Sequence, residues 1–282
     1  MLYVVATPIG NLGDMSPRAI ETLRKVDLVA VEDTRMTMKL MSAFDIHTPL
    51  TSYHRHNEQS KGESLLRKIK EENLSVALVT DAGTPAISDP GSYLVNACLL
   101  ENIPVVAVPG PCAVATALSV SGFDSTEFTF YGFLPREKKA LKQKLKSMIG
   151  QQIAIVSESP YRVIDLMECV VEVLPNTRVS ASCDLTKLHE LTIRGTALEV
   201  LNALQANEKS NKGEYALVFD LRNEVVEEVI PTCEASLEAQ LFELLLQGMD
   251  MKTAIKTMTE KGKKKKEVYS ASLVVKAFIE ES

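Results

Sequence analysis

The feature that most constrains the fold is an alternation, in the N-terminal part of the chain, of short apolar runs with segments of helical periodicity. A run of four or five apolar residues is typical of a strand buried on both faces. Helical segments between such strands favour βαβ units, in which helices cover both sides of a parallel sheet. The predicted strands are residues 2–6, 28–31, 76–80 and 105–108, and the predicted helices are residues 18–26, 34–44, 63–72 and 92–101.

A second set of strands follows a helix of small residues predicted at 113–121. Several of these strands alternate in polarity, which is typical of half-buried strands in a mixed sheet. The fold class is therefore α/β, with an N-terminal α/β domain at 1–113 and a second α/β domain at 114–222. The strands predicted in the second domain are residues 127–131, 153–157, 178–184, 190–194 and 215–221.

Residues 223–282 are predicted to form an acidic linker and a C-terminal helical region. Pro231 marks the linker, and helices are expected at 234–247, 252–260 and 267–279. The stretch 223–249 contains six acids and no Lys or Arg, so it accounts for the whole net charge of −6. Six cations and one acid lie at 134–146, and a lysine run follows at 261–266. Because binding of a polyanion responds to local patches, the acidic total does not exclude RNA as a partner.

Composition excludes several other classes of protein. No uninterrupted apolar segment reaches the roughly 20 residues of a membrane helix, and residues 1–10 lack the cations of a signal peptide. The five cysteines are an odd number without metal-ligand spacing, and the four histidines show none either. These features predict a cytoplasmic protein that has no disulfide framework, binds no metal and does not enter a membrane.

Loops rich in glycine and proline follow three of the predicted strands, at residues 7–14, 80–91 and 108–113. Open α/β sheets bind ligands beyond the carboxyl ends of their strands. Glycine there lets the backbone approach a ligand, and proline keeps the preceding residue extended. One such loop alone is more often a tight turn. Three of them at successive strand ends favour a cofactor site whose donors and acceptors are backbone groups.

The order of these loops resembles the tetrapyrrole-methylase class of S-adenosylmethionine enzymes. Further motifs are similar to one branch of it, the small-subunit (16S) ribosomal RNA cytidine-2′-O-methyltransferases. Two departures from the wider class make a corrin-type substrate doubtful. Gly83-Thr84-Pro85 stands where tetrapyrrole enzymes have Gly-Asp-Pro, and the first loop lacks their Gly-x-Gly-x-Gly run. The motifs that carry the resemblance are residues 8–14, 81–91 and 109–113, and for the branch residues 32–35, 54–58, 157–162, 186–190 and 213–215.

The resemblance implies that S-adenosylmethionine lies in a cleft between the two α/β domains, in an enzyme that works as a homodimer. It also implies a ribose 2′-hydroxyl of cytidine as the acceptor, in ribosomal RNA or in the assembled small ribosomal subunit. The implied cofactor contacts are Pro8, Asp81, Ala82, Gly83, Thr84, Ile87, Cys112 and Ala113 from the first domain and Glu158, Leu185 and Tyr215 from the second.

Candidate RNA contacts come from arginines and lysines at predicted helix starts. Two motifs place an arginine in the first turn of a predicted helix: Asp33-Thr34-Arg35 and Ser159-Pro160-Tyr161-Arg162. The backbone amides at a helix start are unpaired, so together with the arginine they can bind a phosphate. Arg55 and Asn57 are further candidates, although loop structure explains them nearly as well. The last candidates are four lysines predicted to be exposed on one face of a helix: Lys138, Lys139, Lys142 and Lys146. The alternative explanation of this pattern is a solvated surface without RNA contacts.

A 2′-hydroxyl is a weak nucleophile and needs a group that takes its proton. Lys187, Glu158, Asp81 and Asp33 are the candidates, and the sequence does not choose among them. Two other functions remain open at this stage. One is a methylase of a small tetrapyrrole or corrin on the same scaffold, and the other is an RNA-binding protein without enzymatic activity.

Overall fold

A computed structural model describes residues 1–224 and 235–280 of the chain. The chain divides into two compact units, Met1–Val226 and Glu227–Ser282. Both predicted α/β domains therefore belong to the first unit, and the boundary between 113 and 114 stays a prediction. The linker expected around Pro231 lies outside the described residues, as does Cys233.

The first part of the larger unit contains a five-stranded parallel sheet of order β3-β2-β4-β1-β5. Apolar clusters cover both of its faces, as the continuous apolar runs predict. The elements in chain order are β1 (Leu2–Val5), α1 (Pro17–Lys25), β2 (Leu28–Val31), α2 (Thr34–Ala43), β3 (Leu50–Ser52), α3 (Glu58–Glu71), β4 (Val76–Leu78), α4 (Ser92–Leu100), β5 (Val105–Val108) and α5 (Ala113–Ser121).

Two elements of this part differ from the sequence prediction. The edge strand β3 was not predicted, because three residues are too few to show a period of two. Helix α3 begins at Glu58 rather than near residue 63, so Gly62 lies inside it. A Cβ at Gly62 would lie 2.7 Å from the Tyr93 ring, so the glycine, normally unfavourable in a helix, allows α3 and α4 to pack closely.

The second part contains a mixed five-stranded sheet, as predicted, and the order of its strands is β6-β7-β10-β8-β9. Strands β6 and β7 are parallel, and the other neighbours are antiparallel. The elements are β6 (Thr129–Phe133), α6 (Lys138–Lys146), β7 (Ile153–Glu158), α7 (Val163–Val173), β8 (Arg178–Cys183), β9 (Leu191–Thr196), α8 (Ala197–Ala206) and β10 (Tyr215–Asp220).

Helices α6, α7 and α8 cover one face of this sheet, where Leu145, Val170 and Leu204 are fully buried. Helix α8 was not predicted, although a capping box between Thr196 and Glu199 marks its start. Arg162 was predicted to lie in the first turn of a helix capped by Ser159, and this prediction was wrong. Helix α7 begins at Val163, with Arg162 as its N-cap residue.

The described residues of the smaller unit, 235–280, form three helices that pack around their own apolar cluster. Leu241, Met258 and Val268 are buried in it, one from each helix. The helices are α9 (Leu237–Leu246), α10 (Met251–Glu260) and α11 (Lys265–Glu280), close to the predicted ranges. Among the helices of the described residues, none combines the length and the apolar character that a bilayer crossing requires.

Candidate functional site

The three predicted loops meet at the carboxyl edge of the parallel sheet and hold one another there. Thr7 and Gly83 exchange two backbone hydrogen bonds, with N to O distances of 2.9 and 3.1 Å. The Thr7 hydroxyl donates to the Thr80 carbonyl at 3.1 Å, and the Thr84 hydroxyl donates to the Pro111 carbonyl at 3.0 Å. The loops therefore form one connected rim rather than three separate turns.

Glycine is required at one point of this rim by both conformation and space. Gly83 is buried and has φ +88°, a left-handed conformation that side chains rarely adopt. A Cβ at this position would lie 3.3 Å from Ile9 Cγ2. With no side chain at residue 83, the loop leaves room for a ligand to come close to the backbone, as a backbone-lined ligand site needs.

The first loop also contacts the second sheet. Ile9 packs with Val114 of α5 against Ile155, Val218 and the buried Leu185. Beside it, a Cβ on Gly10 would lie 2.5 Å from Lys187 Cγ. The structure therefore brings Leu185 and Lys187 close to the first loop of the rim.

Lys187 is tied to two carboxylates. Its Nζ lies 2.6 Å from Asp184 Oδ1 and 3.2 Å from Glu214 Oε2. Partial burial lowers the pKa of Lys187, but the two carboxylates outweigh it, so the pKa is raised overall. An ammonium whose pKa is raised stays protonated at neutral pH, and this arrangement does not favour Lys187 as a proton acceptor.

Glu158 and Tyr215 lie opposite each other in the β7–β10 pair. Tyr215 packs in the cluster under α6 to α8, and the alternation along β7 places Glu158 on the same face as Ala154 and Val156 of that cluster. The opposite face of the sheet carries the contacts with Ile9. Only main-chain atoms of these two residues are therefore available on the side where the loops meet.

The Glu158 carboxylate is buried and has one charged neighbour, Arg162. Its Oε1 accepts a hydrogen bond from Ser159 N at 2.7 Å. Its Oε2 lies 3.3 Å from Arg162 Nη2, an ion-pair distance without hydrogen-bond alignment. The same Nη2 donates to the Pro135 carbonyl at 3.0 Å and the Leu134 carbonyl at 3.4 Å. Arg162 therefore joins the turns that follow β6 and β7, a structural role that the sequence did not indicate.

Asp33 and Arg35 form an exposed pair at the start of α2. Asp33 accepts from the Arg35 amide at 2.8 Å, and the guanidinium donates to the same carboxylate at 3.2 and 2.7 Å. These bonds hold the pKa of Asp33 at about 2. So weak a base takes up a proton poorly at neutral pH. The Arg35 side chain remains 82% exposed and accessible to an anion.

Acidic side chains gather around Thr80 at the ends of β2 and β4. The Thr80 hydroxyl donates to Glu32 Oε2 at 3.1 Å, and Asp81 Oδ1 accepts from Asp33 N at 3.0 Å. Burial, together with the charge of Asp81, raises the pKa values of both Glu32 and Asp89. Glu32 and Asp89 were not predicted as site residues. Parallel strands end at the same edge, so the acid directly after β2 was an available signal for Glu32, whereas Asp89 lies further along the loop after β4.

Arg55 and Asn57 lie beside this acidic cluster. Arg55 Nη2 donates to the Ser88 carbonyl at 2.9 Å, in the loop after β4. Asn57 accepts from His54 N at 2.8 Å and so closes the turn before α3. Ile87 is half exposed in the same loop. Among the other predicted cofactor contacts, Ala82 is exposed, and Pro8, Thr84, Cys112 and Ala113 are half-buried around the rim.

The lysines of α6 are not equivalent. Lys138, Lys139 and Lys146 are exposed, as predicted. Lys142 is only 30% exposed and forms an ion pair with Glu172 of α7, so the prediction of an exposed side chain is wrong for it. Lys144 lies 4.5 Å above the centre of the Tyr131 ring. The long stems of lysines let them pack across a neighbouring element, which a helical pattern alone does not reveal.

This arrangement of sheets occurs in solved methyltransferases. A uroporphyrin-III C-methyltransferase from Thermus thermophilus, solved in complex with S-adenyl homocysteine, superposes with a TM-score of 0.53 at 14% identity, covering 77% of this chain and 96% of that one. Residues 1–201 match the family of tetrapyrrole (corrin/porphyrin) methylases. The chain belongs to that family and is a methyltransferase.

Curated relatives match nearly the whole chain. A protein of Halalkalibacterium halodurans named ribosomal RNA small subunit methyltransferase I is 42% identical over 272 residues, which cover 95% of this chain and 93% of that protein. A Bacillus subtilis protein of the same name is 41% identical over 275 residues, covering 96% and 93%. Both alignments extend past the family match at residue 201 into the C-terminal helices.

Proposed function

We propose that this methyltransferase uses S-adenosylmethionine to methylate the ribose 2′-hydroxyl of a cytidine in small-subunit ribosomal RNA. The observation that carries the proposal is the name shared by relatives that are 41–42% identical over almost the full chain. The cytidine and the 2′ position rest on the motifs that resemble the 16S branch. A homodimer and a cytoplasmic location remain predictions from the sequence.

The rim of loops fits an adenosyl cofactor. It offers backbone groups around Gly83, beside small or apolar side chains such as Ala82, Ala113 and Leu185. When bound, the cofactor supplies a methyl group that is already activated on its sulfonium. The tasks left to this chain are to align the acceptor oxygen, to exclude water and to take up a proton.

Among the four candidate bases, the geometry favours Asp81. The Lys187 ammonium is paired, Glu158 lies on the far face of its sheet, and the Asp33 carboxylate is held by Arg35. Asp81 lies in the loop after β4, is exposed, and directly precedes Ala82 and Gly83 of the rim. In the proposed reaction the ribose 2′-oxygen would accept the methyl group that the bound cofactor supplies, and Asp81 would take up the hydroxyl proton.

Methyl transfer from labelled cofactor tests the function directly. The expected product is 2′-O-methylcytidine in 16S ribosomal RNA or in small subunits isolated from cells that lack this enzyme, located by mapping the modified nucleotide. Asp81→Asn should lower kcat by more than it lowers cofactor affinity, because the amide can keep polar contacts but cannot take up the proton. Methylation of a porphyrinoid but not of RNA would identify the alternative methylase. Absence of both cofactor binding and transfer would favour a protein that only binds RNA.

We propose that the RNA is contacted by Arg35, Arg55, Asn57 and Arg162 and by the exposed α6 lysines Lys138, Lys139 and Lys146. The exposed lysines should do so electrostatically, releasing counterions from the phosphates. Changing Lys138, Lys139 and Lys146 to Gln should therefore flatten the dependence of log affinity on log salt by up to about two to three units.

RNA affinity measured at several salt concentrations checks this prediction. Lys142→Gln is the matched control, because its side chain already pairs with Glu172 and should change the slope little. An unchanged slope in the triple variant would show that these lysines are only a solvated surface.

A further inference from the structure

Two aromatic side chains are exposed where neighbouring strands of the second sheet end. Phe133, the last residue of β6, is 66% exposed, and Tyr161, in the turn after β7, is 83% exposed. Strands β6 and β7 run parallel, with Phe133 in register with Ser157. The two aromatics thus belong to the same edge of the sheet. Large apolar side chains exposed together commonly mark a binding surface.

This edge adjoins the candidate site. A Cβ on Gly132 would lie 3.9 Å from Ser88 Oγ, so the end of β6 reaches the loop that contains Asp81 and Gly83. The Ser88 carbonyl in turn accepts the hydrogen bond from Arg55. The register places Phe133 on the same face as Ile155, the face that packs against Ile9. Phe133 therefore directly follows the residue that meets this loop and lies on the face of the sheet that packs against Ile9.

Cations accompany the aromatic pair. Arg162 links the turns that follow the two strands, and with Arg136 and Lys138 it lines a cavity of about 220 Å³ between α6 and α7. Asp165 and Glu168 also line this cavity. In the described part of the chain, Arg136 and Lys138 have neither an ion pair nor a side-chain hydrogen bond. They are therefore available to an anion from outside.

We propose that Phe133 and Tyr161 are a stacking platform for unpaired bases beside the target nucleotide, and that Arg136 and Lys138 bind the adjoining phosphates. The inference rests on the proposed RNA substrate and adds that the RNA is single-stranded at the site. Exposed rings next to free cations are the combination that binds single-stranded nucleic acid, because every base has a face that can stack. Bases in a duplex are already stacked on one another and cannot use such a platform.

The test compares Phe133→Ala, Tyr161→Ala and the double variant with wild type. The probe is a short fluorescent single-stranded RNA carrying 2-aminopurine, offered alone or annealed to its complement. Each single variant should lose about 5- to 150-fold in affinity for the single strand. The 2-aminopurine quenching seen with wild type should be lost, whereas Phe133→Tyr and Tyr161→Phe should retain it. Cofactor affinity and the salt slope should not change, because ring stacking releases no counterions.

Leu100→Ala is the matched control, since Leu100 is 75% exposed at the end of α4, at the opposite edge of the first sheet. Equal affinity of wild type and double variant for the single strand, or equal binding of duplex and single strand, would overturn the platform. So would dissociation of a dimer in the double variant with RNA binding intact, because the rings would then cover a second copy of the chain. If wild type binds cofactor but methylates no RNA, the proposed function fails. The platform is then tested only by the affinity of the variants for the single-stranded RNA.

Discussion

Replacing Gly83 with valine is expected to abolish cofactor binding while the chain stays folded. Residue 83 has φ +88°, and a β-branched residue there is strained by about 1–3 kcal/mol. The new side chain would also press on Ile9 Cγ2, 3.3 Å from the position of the Cβ. Relief of that contact displaces the rim that Thr7 and Gly83 hold together. The expected loss of affinity is at least about 100-fold, equivalent to about 2.8 kcal/mol.

Gly122→Val is the control that separates loss of the cofactor site at residue 83 from the general cost of a β-branched residue at positive φ. Gly122 has φ +70° at the end of α5, and a Cβ there meets no atom within 4 Å. It should therefore lose a similar amount of stability and keep its affinity for cofactor. Calorimetric titration with S-adenosylmethionine and thermal unfolding of both variants provide the comparison. Normal binding by a folded Gly83→Val protein would refute the placement of the site.

The second large effect is expected for Arg162→Ala. Its removal leaves the Glu158 carboxylate buried without a charged partner and frees the turn at Leu134 and Pro135. Breaking a buried ion pair from one side costs about 3–5 kcal/mol. Because the Arg162 side chain is 24% exposed and water can replace part of it, we expect the lower end, about 3 kcal/mol.

A double-mutant cycle with Glu158→Gln isolates the pair. The neutral glutamine needs no cation, so Arg162→Ala should cost less in that background than in wild type. Lys25→Ala is the control for an exposed pair. Lys25 and Glu21 are 72% and 61% exposed, and breaking their bridge should cost much less than breaking the buried pair. Equal costs of Arg162→Ala with and without Glu158 would show that the two side chains are not coupled.

Several elements of the fold could be predicted from the sequence, and others could not. Strands β2 and β5 and helix α5 were predicted at their exact residues. Their signal is a short run of apolar or small residues with clear ends, which depends only on neighbours along the chain. The three loops at successive strand ends were recognised as one candidate site for the same reason. Strand β3 and helix α8 were missed, the first because it is short and the second because its capping signal was not used.

What the sequence determined by itself is the set of features that depend on neighbours along the chain. These are the α/β class, the glycine loops, and the motifs that resemble the methylase branch. Tertiary structure alone decided which cations are paired across elements: Lys187 forms an ion pair with Glu214, and Lys142 forms one with Glu172. It also decided that Glu32 and Asp89 both lie beside Thr80. The physical reason is that electrostatic and packing partners are set by strand order and register, which bring together residues that are far apart in the sequence.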